Sequence, residues 1–293
     1  MRQGDTATRL SFTGAEGNRL VGEEHGTGGR PVLFLHGGGQ TRHAWDKAVA
    51  DMGAHGTRAI SVDLRGHGES DPVESGNYRF DAYAEDVVAM ANEIRARYGA
   101  RPAVVGASLG GLSSLLAEVR HPGLLEALVL VDITPDMDAN GVARIQGFMG
   151  ENLDEGFASL EEAADAIARY LPHRKRPTNL SGLGKNLRLD ADGRYRWHWD
   201  PRFLDPETGI NAGAVTLMTE CYDAIPRLHL PILLVRGMQS ELVNEDSAKS
   251  FAERAPDATY VDIRDAGHMV AGDRNDVFSE EVTRFLKDQL LGD

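Results

Sequence analysis

One serine of this chain lies in a pattern suited to nucleophilic chemistry. Ser108 lies within GASLG at 106–110, which follows the apolar run PAVVG at 102–106 and opens a second apolar run, LGGLSSLLAEV at 109–119. A G-x-S-x-G pattern is informative where it joins a strand to a helix, because so tight a turn admits only small residues beside the serine. The turn holds the hydroxyl clear of the sheet, at the positive end of a helix. We therefore expect Ser108 to be a nucleophile rather than an incidental serine at a glycine-rich helix start.

A serine hydroxyl is a weak nucleophile until a neighbouring base removes its proton. The chain has ten histidines, so position must identify the base. His268, within DAGHMV at 265–270, follows the last strand-like run and precedes a final helix, which predicts a loop at the same sheet edge as Ser108. His36 also follows a strand-like run, and we expect it to organise its loop. Seven other histidines lack such a context and are expected at the surface: His25, His43, His55, His121, His173, His198 and His229.

Two further motifs complete a known pattern. LHGGG at 35–39 follows the run PVLFL, and DLRGHGES occupies 63–70. With GASLG, these motifs resemble the α/β-hydrolase family over about 1–133 and 226–293. The resemblance implies an oxyanion hole formed by the backbone N–H groups of Gly38 and Leu109. It also implies structural roles for Asp63 and Arg65. The related epoxide hydrolases and haloalkane dehalogenases have an aspartate at the position of Ser108, so the resemblance does not favour their chemistry here.

The residue that would orient His268 is ambiguous in the sequence. The family usually places an aspartate shortly after the strand that here reads PILLVRG, but Ser240 stands at the commonest acid position and Glu241 follows it. Some relatives, such as the haloalkane dehalogenases, instead carry the acid after the strand that here ends at Asp132. A carboxylate at either place would orient the imidazole and stabilise its charged form. We expect Glu241, whose additional methylene offsets a shift of one residue, and keep Asp132 as the alternative acid.

Apolar runs alternating with helical patterns predict the architecture. Residues 82–98 repeat apolar side chains at helical spacing, whereas the strand-like runs are continuously apolar, as in strands covered on both faces. The strand-like runs are 31–35, 59–63, 102–106, 127–132, 231–236 and 258–263. This alternation predicts the α/β class, with a mostly parallel doubly wound sheet.

The alternation stops between about 134 and 225, where the composition becomes helical and polar. We expect a helical lid inserted at 134–225 between two core segments, 1–133 and 226–293. The basic run Arg174, Lys175 and Arg176 is expected to be a solvated patch, with recognition of a substrate carboxylate as the alternative. The aromatic residues Tyr195, Trp197 and Trp199 either roof an apolar pocket or pack the lid onto the core, and the sequence favours neither.

Composition excludes several classes of function. The net charge of −14 opposes binding to nucleic acid or to an anionic membrane. The single cysteine, Cys221, cannot form an internal disulfide, the first ten residues contain no apolar run, and no stretch is apolar enough for a membrane span, so we expect a cytoplasmic protein. Clusters of His, Cys or Asp at ligand spacing are also missing from the sequence, so we expect neither a metal nor a cofactor. The expected partner is a small-molecule substrate, and the sequence leaves monomer and dimer open.

Together these features predict a lidded serine hydrolase that cleaves an ester or lactone of a small, largely apolar substrate through an acyl-enzyme. A carbon–carbon bond hydrolase or a perhydrolase would use the same triad and remains an alternative. From another class, a ligand receptor that kept the fold and lost turnover is the rival. This rival is motivated by Ser240, which stands where the family most often carries the acid.

Overall fold

The computed structural model describes residues 7–172, 176, 179–273 and 275–291, and a sheet of eight strands forms its centre. The strands are β1 (Thr8–Thr13), β2 (Arg19–His25), β3 (Pro31–Leu35), β4 (Arg58–Val62), β5 (Ala103–Ala107), β6 (Leu128–Val131), β7 (Leu187–Leu189), β8 (Tyr195–Trp197), β9 (Ile232–Gly237) and β10 (Ala258–Ile263). Their order in the sheet is β1-β2-β4-β3-β5-β6-β9-β10, and β7 with β8 forms a separate hairpin. From β4 to β10 every neighbouring pair is parallel.

Continuously apolar runs form the buried centre of this sheet, as the sequence predicts, except that the run at 258–263 forms the edge strand β10, in which only Ile263 is buried. All side chains of β3, β6 and β9 are buried. The antiparallel strands β1 and β2 at one edge were not anticipated from sequence. In β1 most residues are polar and exposed, so it lacks the apolar run that marks the central strands.

Helices cover both faces of the sheet and confirm the doubly wound α/β class. They are α1 (Asp46–Ala54), α2 (Phe80–Tyr98), α3 (Leu109–Arg120), α4 (Ala139–Gly150), α5 (Leu160–Tyr170), α6 (Ala214–Ala224), α7 (Glu245–Arg254), α8 (Val270–Asp273) and α9 (Asn275–Leu291). Apolar side chains of α2 and α3 pack into the core on one face, and those of α1 and α9 into the core on the other. Burial of these two apolar layers is the main force that holds the fold.

Buried ion pairs fix the turn that follows β4. Arg65 is fully buried and forms a two-pronged pair with Asp86, at 2.6 and 2.7 Å. Asp63 is also fully buried and accepts a hydrogen bond from the Arg42 guanidinium at 2.6 Å. Charged groups with no exposure to water need such partners. Both side chains are thus committed to structure, in agreement with the sequence-based interpretation.

The segment from 134 to 225, called the cap segment below, lies between β6 and β9 and contains α4, α5, the β7–β8 hairpin and α6. Its aromatic rings form a cluster, in which Trp197 lies 5.3 Å from Phe157 and 5.9 Å from Phe148 between ring centroids. The end of the hairpin is bonded to the turn after β4, because the backbone carbonyl oxygen of His198 accepts the Gly68 N–H at 2.8 Å. The cap segment therefore packs directly onto the core.

Candidate active site

Ser108 occupies the turn between β5 and α3, and its backbone is strained. Its dihedral angles are φ 44° and ψ −110°, outside the regions that ordinary residues prefer. The flanking glycines are sterically required: a Cβ at Gly106 would lie 2.6 Å from the Gly111 backbone, and a Cβ at Gly110 would lie 2.5 Å from the Leu35 carbonyl oxygen. The predicted strand–serine–helix turn is thus present, with Ser108 at its apex.

His268 lies in the loop between β10 and α8, and its imidazole contacts a buried aspartate. Nδ1 of His268 lies 2.8 Å from Oδ2 of Asp132. Asp132 directly follows β6, is fully buried, and adopts a positive φ of 52°. Its Oδ1 accepts the Gly237 N–H at 2.9 Å, and its Oδ2 also accepts the Ser240 hydroxyl at 2.5 Å.

Glu241, the acid that we expected from sequence, has different partners. Its carboxylate accepts the Tyr170 hydroxyl at 2.8 Å and pairs with the Arg144 guanidinium at 2.9 Å, both from the cap segment. The structure therefore does not bring Glu241 to His268 and places the alternative, Asp132, there instead. Asp132 can reach this position because β6 and β9 are neighbours, so residues after both strands lie at the same edge of the sheet. Glu241 lies at that edge too, but its carboxylate is bonded to α4 and α5 of the cap segment.

The N–H groups predicted to form an oxyanion hole are those of Gly38 and Leu109. Within the described part of the chain, neither N–H donates to a protein acceptor, whereas those of the adjacent residues are engaged. The engaged bonds are Gly37 N–H to Gln40 Oε1 (3.0 Å), Gly39 N–H to His67 Nε2 (3.1 Å) and Gly110 N–H to the His36 carbonyl (3.2 Å). The two residues also line the same cavity as Ser108, which is where an oxyanion hole would have to lie.

Two buried histidines hold this glycine loop. Nε2 of His36 accepts the Leu64 N–H at 3.0 Å, and Nε2 of His67 accepts the Gly39 N–H. Burial lowers the pKa of His36 and lowers that of His67 to about 3, which keeps both rings neutral. The structural interpretation of His36 agrees with these contacts. His67 was missed, and the glycines on both sides of it in RGHGES were the available signal.

Ser108 and His268 open on a cavity of about 690 Å³. Most of its wall is apolar, and the cap segment supplies much of that wall. Apolar side chains that the cap segment contributes include Val142, Ile145, Phe148, Met149, Ile167, Trp197, Trp199, Phe203 and Ile210. Trp197 and Trp199 are also buried in the core cluster, so they both roof the cavity and pack the cap segment.

Polar side chains occupy part of the same wall and revise two sequence-based expectations. His43 lines the cavity rather than the outer surface, because the 3₁₀ turn that carries it begins just after the glycine loop. Arg176 also lines the cavity, and its guanidinium bonds to Asp165 at 2.7 Å, so it is not purely a solvated charge. Arg174 and Lys175 lie outside the described residues.

Within the described ranges, no three His, Cys, Asp or Glu side chains form a group that could hold a metal ion. Among the helices in those ranges, none has the length and apolar character needed to cross a membrane.

Comparison with known proteins places this geometry in a family. A family model described as the alpha/beta hydrolase fold matches residues 30–274. The esterase Rv0045c of Mycobacterium tuberculosis is 32% identical over 252 residues, which cover 83% of this chain and 78% of that protein. The 2-(acetamidomethylene)succinate hydrolase of Mesorhizobium japonicum is 26% identical over 255 residues, 87% of each chain.

Solved structures agree with the sequence matches. A structure of the M. tuberculosis esterase Rv0045c superposes with a TM-score of 0.76 at 28% identity, covering 98% of this chain and 93% of the other. An alpha/beta hydrolase from Novosphingobium aromaticivorans gives a TM-score of 0.78 at 25% identity, covering 96% and 98%. With the eight-stranded sheet and the strained serine turn, these matches establish that the chain belongs to the α/β-hydrolase fold family.

Proposed function

We propose that this protein is a serine hydrolase that cleaves an ester or lactone of a small, largely apolar substrate through an acyl-enzyme. One observation carries the proposal: the turn that presents Ser108 opens on the same apolar cavity as His268, whose imidazole is held by buried Asp132. This arrangement has the parts of a nucleophile, a base and an orienting acid.

In the proposed first step, the Ser108 hydroxyl oxygen attacks the substrate carbonyl carbon while Nε2 of His268 takes its proton. The N–H groups of Gly38 and Leu109 bind the oxygen that becomes negative. The tetrahedral intermediate then expels the alcohol, which takes the proton from His268. Water, deprotonated by His268, attacks the acyl carbon in the second step and releases the acid and free Ser108.

Asp132 has a defined part in both steps. Its carboxylate accepts the Nδ1–H of His268, which fixes the tautomer that leaves Nε2 free to accept the serine proton. The negative charge then stabilises the imidazolium that forms. This contact also weakens the case for a receptor without turnover, since that rival was motivated by a displaced acid.

The cap segment, residues 134–225, is proposed to form the substrate-binding half of the site. Apolar walls favour substrates that lose unfavourable contact with water on binding. Similarity to the esterase Rv0045c supports an ester as the bond that is cleaved.

The proposal is tested with a series of p-nitrophenyl esters from acetate to decanoate, measured for the wild type and for Ser108→Ala. We expect wild-type kcat/KM to rise with acyl length until the cavity is filled, and Ser108→Ala to lose activity by several orders of magnitude. A vinylogous 1,5-diketone and an assay for peracid formation test carbon–carbon cleavage and perhydrolysis in parallel. Faster turnover of either of these than of every ester, or near-wild-type ester turnover by Ser108→Ala, would contradict the proposal.

A further inference from the structure

Ser240 is bonded to the acid of the site, although it is not itself a member of the nucleophile–base–acid set. It lies in the loop after β9, where the family most often carries the acid. Its Oγ lies 2.5 Å from Oδ2 of Asp132, and the same oxygen lies 2.8 Å from Nδ1 of His268. One carboxylate oxygen thus accepts two hydrogen bonds.

The direction of the Ser240 hydrogen bond follows from its other contacts. A serine hydroxyl has one hydrogen and two acceptor positions. Oγ of Ser240 accepts the Leu242 N–H and the Val243 N–H, each at 3.1 Å, which occupies both acceptor positions. The single hydrogen is therefore directed to Asp132.

This donor matters because Asp132 has no exposure to water. A buried carboxylate is oriented and kept charged only by its hydrogen-bond donors. The donors here are the Gly237 N–H, the Ser240 hydroxyl and the His268 imidazole. The first two come from the β9 strand end and its loop, so they fix the carboxylate independently of the histidine.

We infer that Ser240 is a positioning residue, which holds Asp132 and tunes how strongly that carboxylate binds the imidazole of His268. The inference deepens the proposed function and rests on it for the role of His268. Because Ser240 draws charge from the oxygen that faces Nδ1, its removal strengthens the attraction between Asp132 and the charged imidazole. Loss of the same bond also lets the carboxylate turn, which misorients the imidazole.

Other charged groups near this network have partners that do not include the Ser240 hydroxyl. Asp273 on α8 accepts the Gly267 N–H at 3.0 Å, next to His268. On the cap side, Glu241 pairs with Arg144. Asp136 accepts the Ser247 hydroxyl at 2.8 Å, which provides a matched serine–carboxylate bond outside the site.

The test is the pH dependence of fluorophosphonate labelling of Ser108 and of ester kcat/KM in wild type, Ser240→Ala, Ser240→Thr and Ser247→Ala. In Ser240→Ala we expect the acidic limb to move to higher pH by roughly one unit, as for loss of one hydrogen bond to a charged group. The plateau rate should fall on the order of ten-fold. Ser240→Thr keeps the hydroxyl and should restore the wild-type limb, and Ser247→Ala should leave it unmoved.

An unmoved limb in Ser240→Ala, or an equal shift in Ser247→Ala, would overturn the inference. If Ser240→Ala fails to fold, Ser240→Cys decides the question, because its weaker donor predicts an intermediate shift and an unmoved limb contradicts it. The proton resonance of His268 Nδ1, read by NMR without substrate or label, should move downfield in Ser240→Ala or Ser240→Cys. This readout separates the inference from the proposed function, since a protein that turns over no ester still reports the hydrogen bond.

Discussion

The two carboxylates considered as the acid from sequence, Glu241 first and Asp132 as the alternative, have different surroundings in the molecule. Asp132 is fully buried and bonded to His268, whereas Glu241 is partly exposed and bonded to Tyr170 and Arg144 of the cap segment. A carboxylate orients an imidazole only when it lies within hydrogen-bond distance of it. At the scale of single residues, the proposed mechanism therefore assigns the acid role to Asp132, whereas the contacts of Glu241 join the loop after β9 to the cap segment.

Asp132→Asn is expected to lower kcat on the order of 10³- to 10⁴-fold, because the neutral amide no longer stabilises the imidazolium or fixes its tautomer. Glu241→Gln is expected to change kcat only a few-fold, since the altered contacts lie in the cap segment. Steady-state kinetics on one ester, with circular dichroism to verify folding, compares the two variants directly. A larger loss in Glu241→Gln than in Asp132→Asn would contradict the assignment.

Ser108 and His268 could be proposed from sequence because each is marked by local context: a small-residue turn between a strand and a helix, and a loop after the last strand. The acid is not marked locally. Asp132 follows β6 and His268 follows β10. The two residues come together because β6 and β10 lie on either side of β9 in the sheet. Strand order depends on the packing of the whole sheet, and a single sequence does not reveal it.

At the scale of elements, the turn between β5 and α3 depends on glycine for space rather than for flexibility. Gly106 has no positive φ, but a side chain there would collide with the Gly111 backbone at the start of α3. Backbone atoms cannot move aside as a flexible side chain can. The strand end and the helix start would have to separate, which would displace Ser108.

Gly106→Ala is expected to destabilise the protein by about 1–3 kcal/mol or more and to slow labelling of Ser108. Gly147 in α4 is the matched control, because a Cβ there would meet nothing within 4 Å. Gly147→Ala should leave labelling intact and raise stability by roughly 0.5–1 kcal/mol, the usual gain for glycine in a helix. Urea unfolding and labelling rates measure both effects, and equal behaviour of the two variants would contradict the steric explanation.

The cap segment shows how far sequence reasoning reached at this scale. The bounds 134–225 were predicted from the missing strand signals and stay a prediction; within them the structure has helices and a short hairpin that the sequence did not predict. The open choice for Tyr195, Trp197 and Trp199 could not be resolved from sequence: Tyr195 packs against the core cluster, whereas the two tryptophans also line the cavity. An alternating pattern shows that these side chains share one face, but it does not show what that face contacts. Tertiary packing shows that Trp197 and Trp199 both line the cavity and belong to the core cluster.

At the scale of the whole molecule, buried neutral histidines couple stability to pH. In the unfolded chain a histidine has a pKa of about 6.5. Burial in the fold lowers the pKa of His67 to about 3 and also lowers that of His36. Between these values the unfolded state binds more protons than the native state. Stability is therefore complete above about pH 6.5 and is lost as the pH falls toward the folded-state pKa.

Each such histidine is expected to contribute a slope of up to about 1.4 kcal/mol per pH unit below about pH 6.5. His67→Gln, which retains an acceptor for the Gly39 N–H but does not titrate, should show a shallower slope than the wild type. Urea unfolding at several pH values between about 5 and 6.5 isolates this effect. Carboxylates with a lowered pKa, such as Glu69 at about 2, lose their stabilising contribution only below about pH 4.5, so they do not affect the slope in this range. Identical slopes would show that His67 does not carry the coupling.

The proposed chemistry depends on a covalent bond to one oxygen, so the most direct measurement is the mass of the protein after reaction with a fluorophosphonate. We expect wild type to gain a single adduct, located by peptide mapping on Ser108. Ser108→Ala should gain none, and His268→Gln should react far more slowly because the serine proton has no acceptor. An adduct on another residue of the wild type, or equal labelling of Ser108→Ala, would contradict Ser108 as the nucleophile.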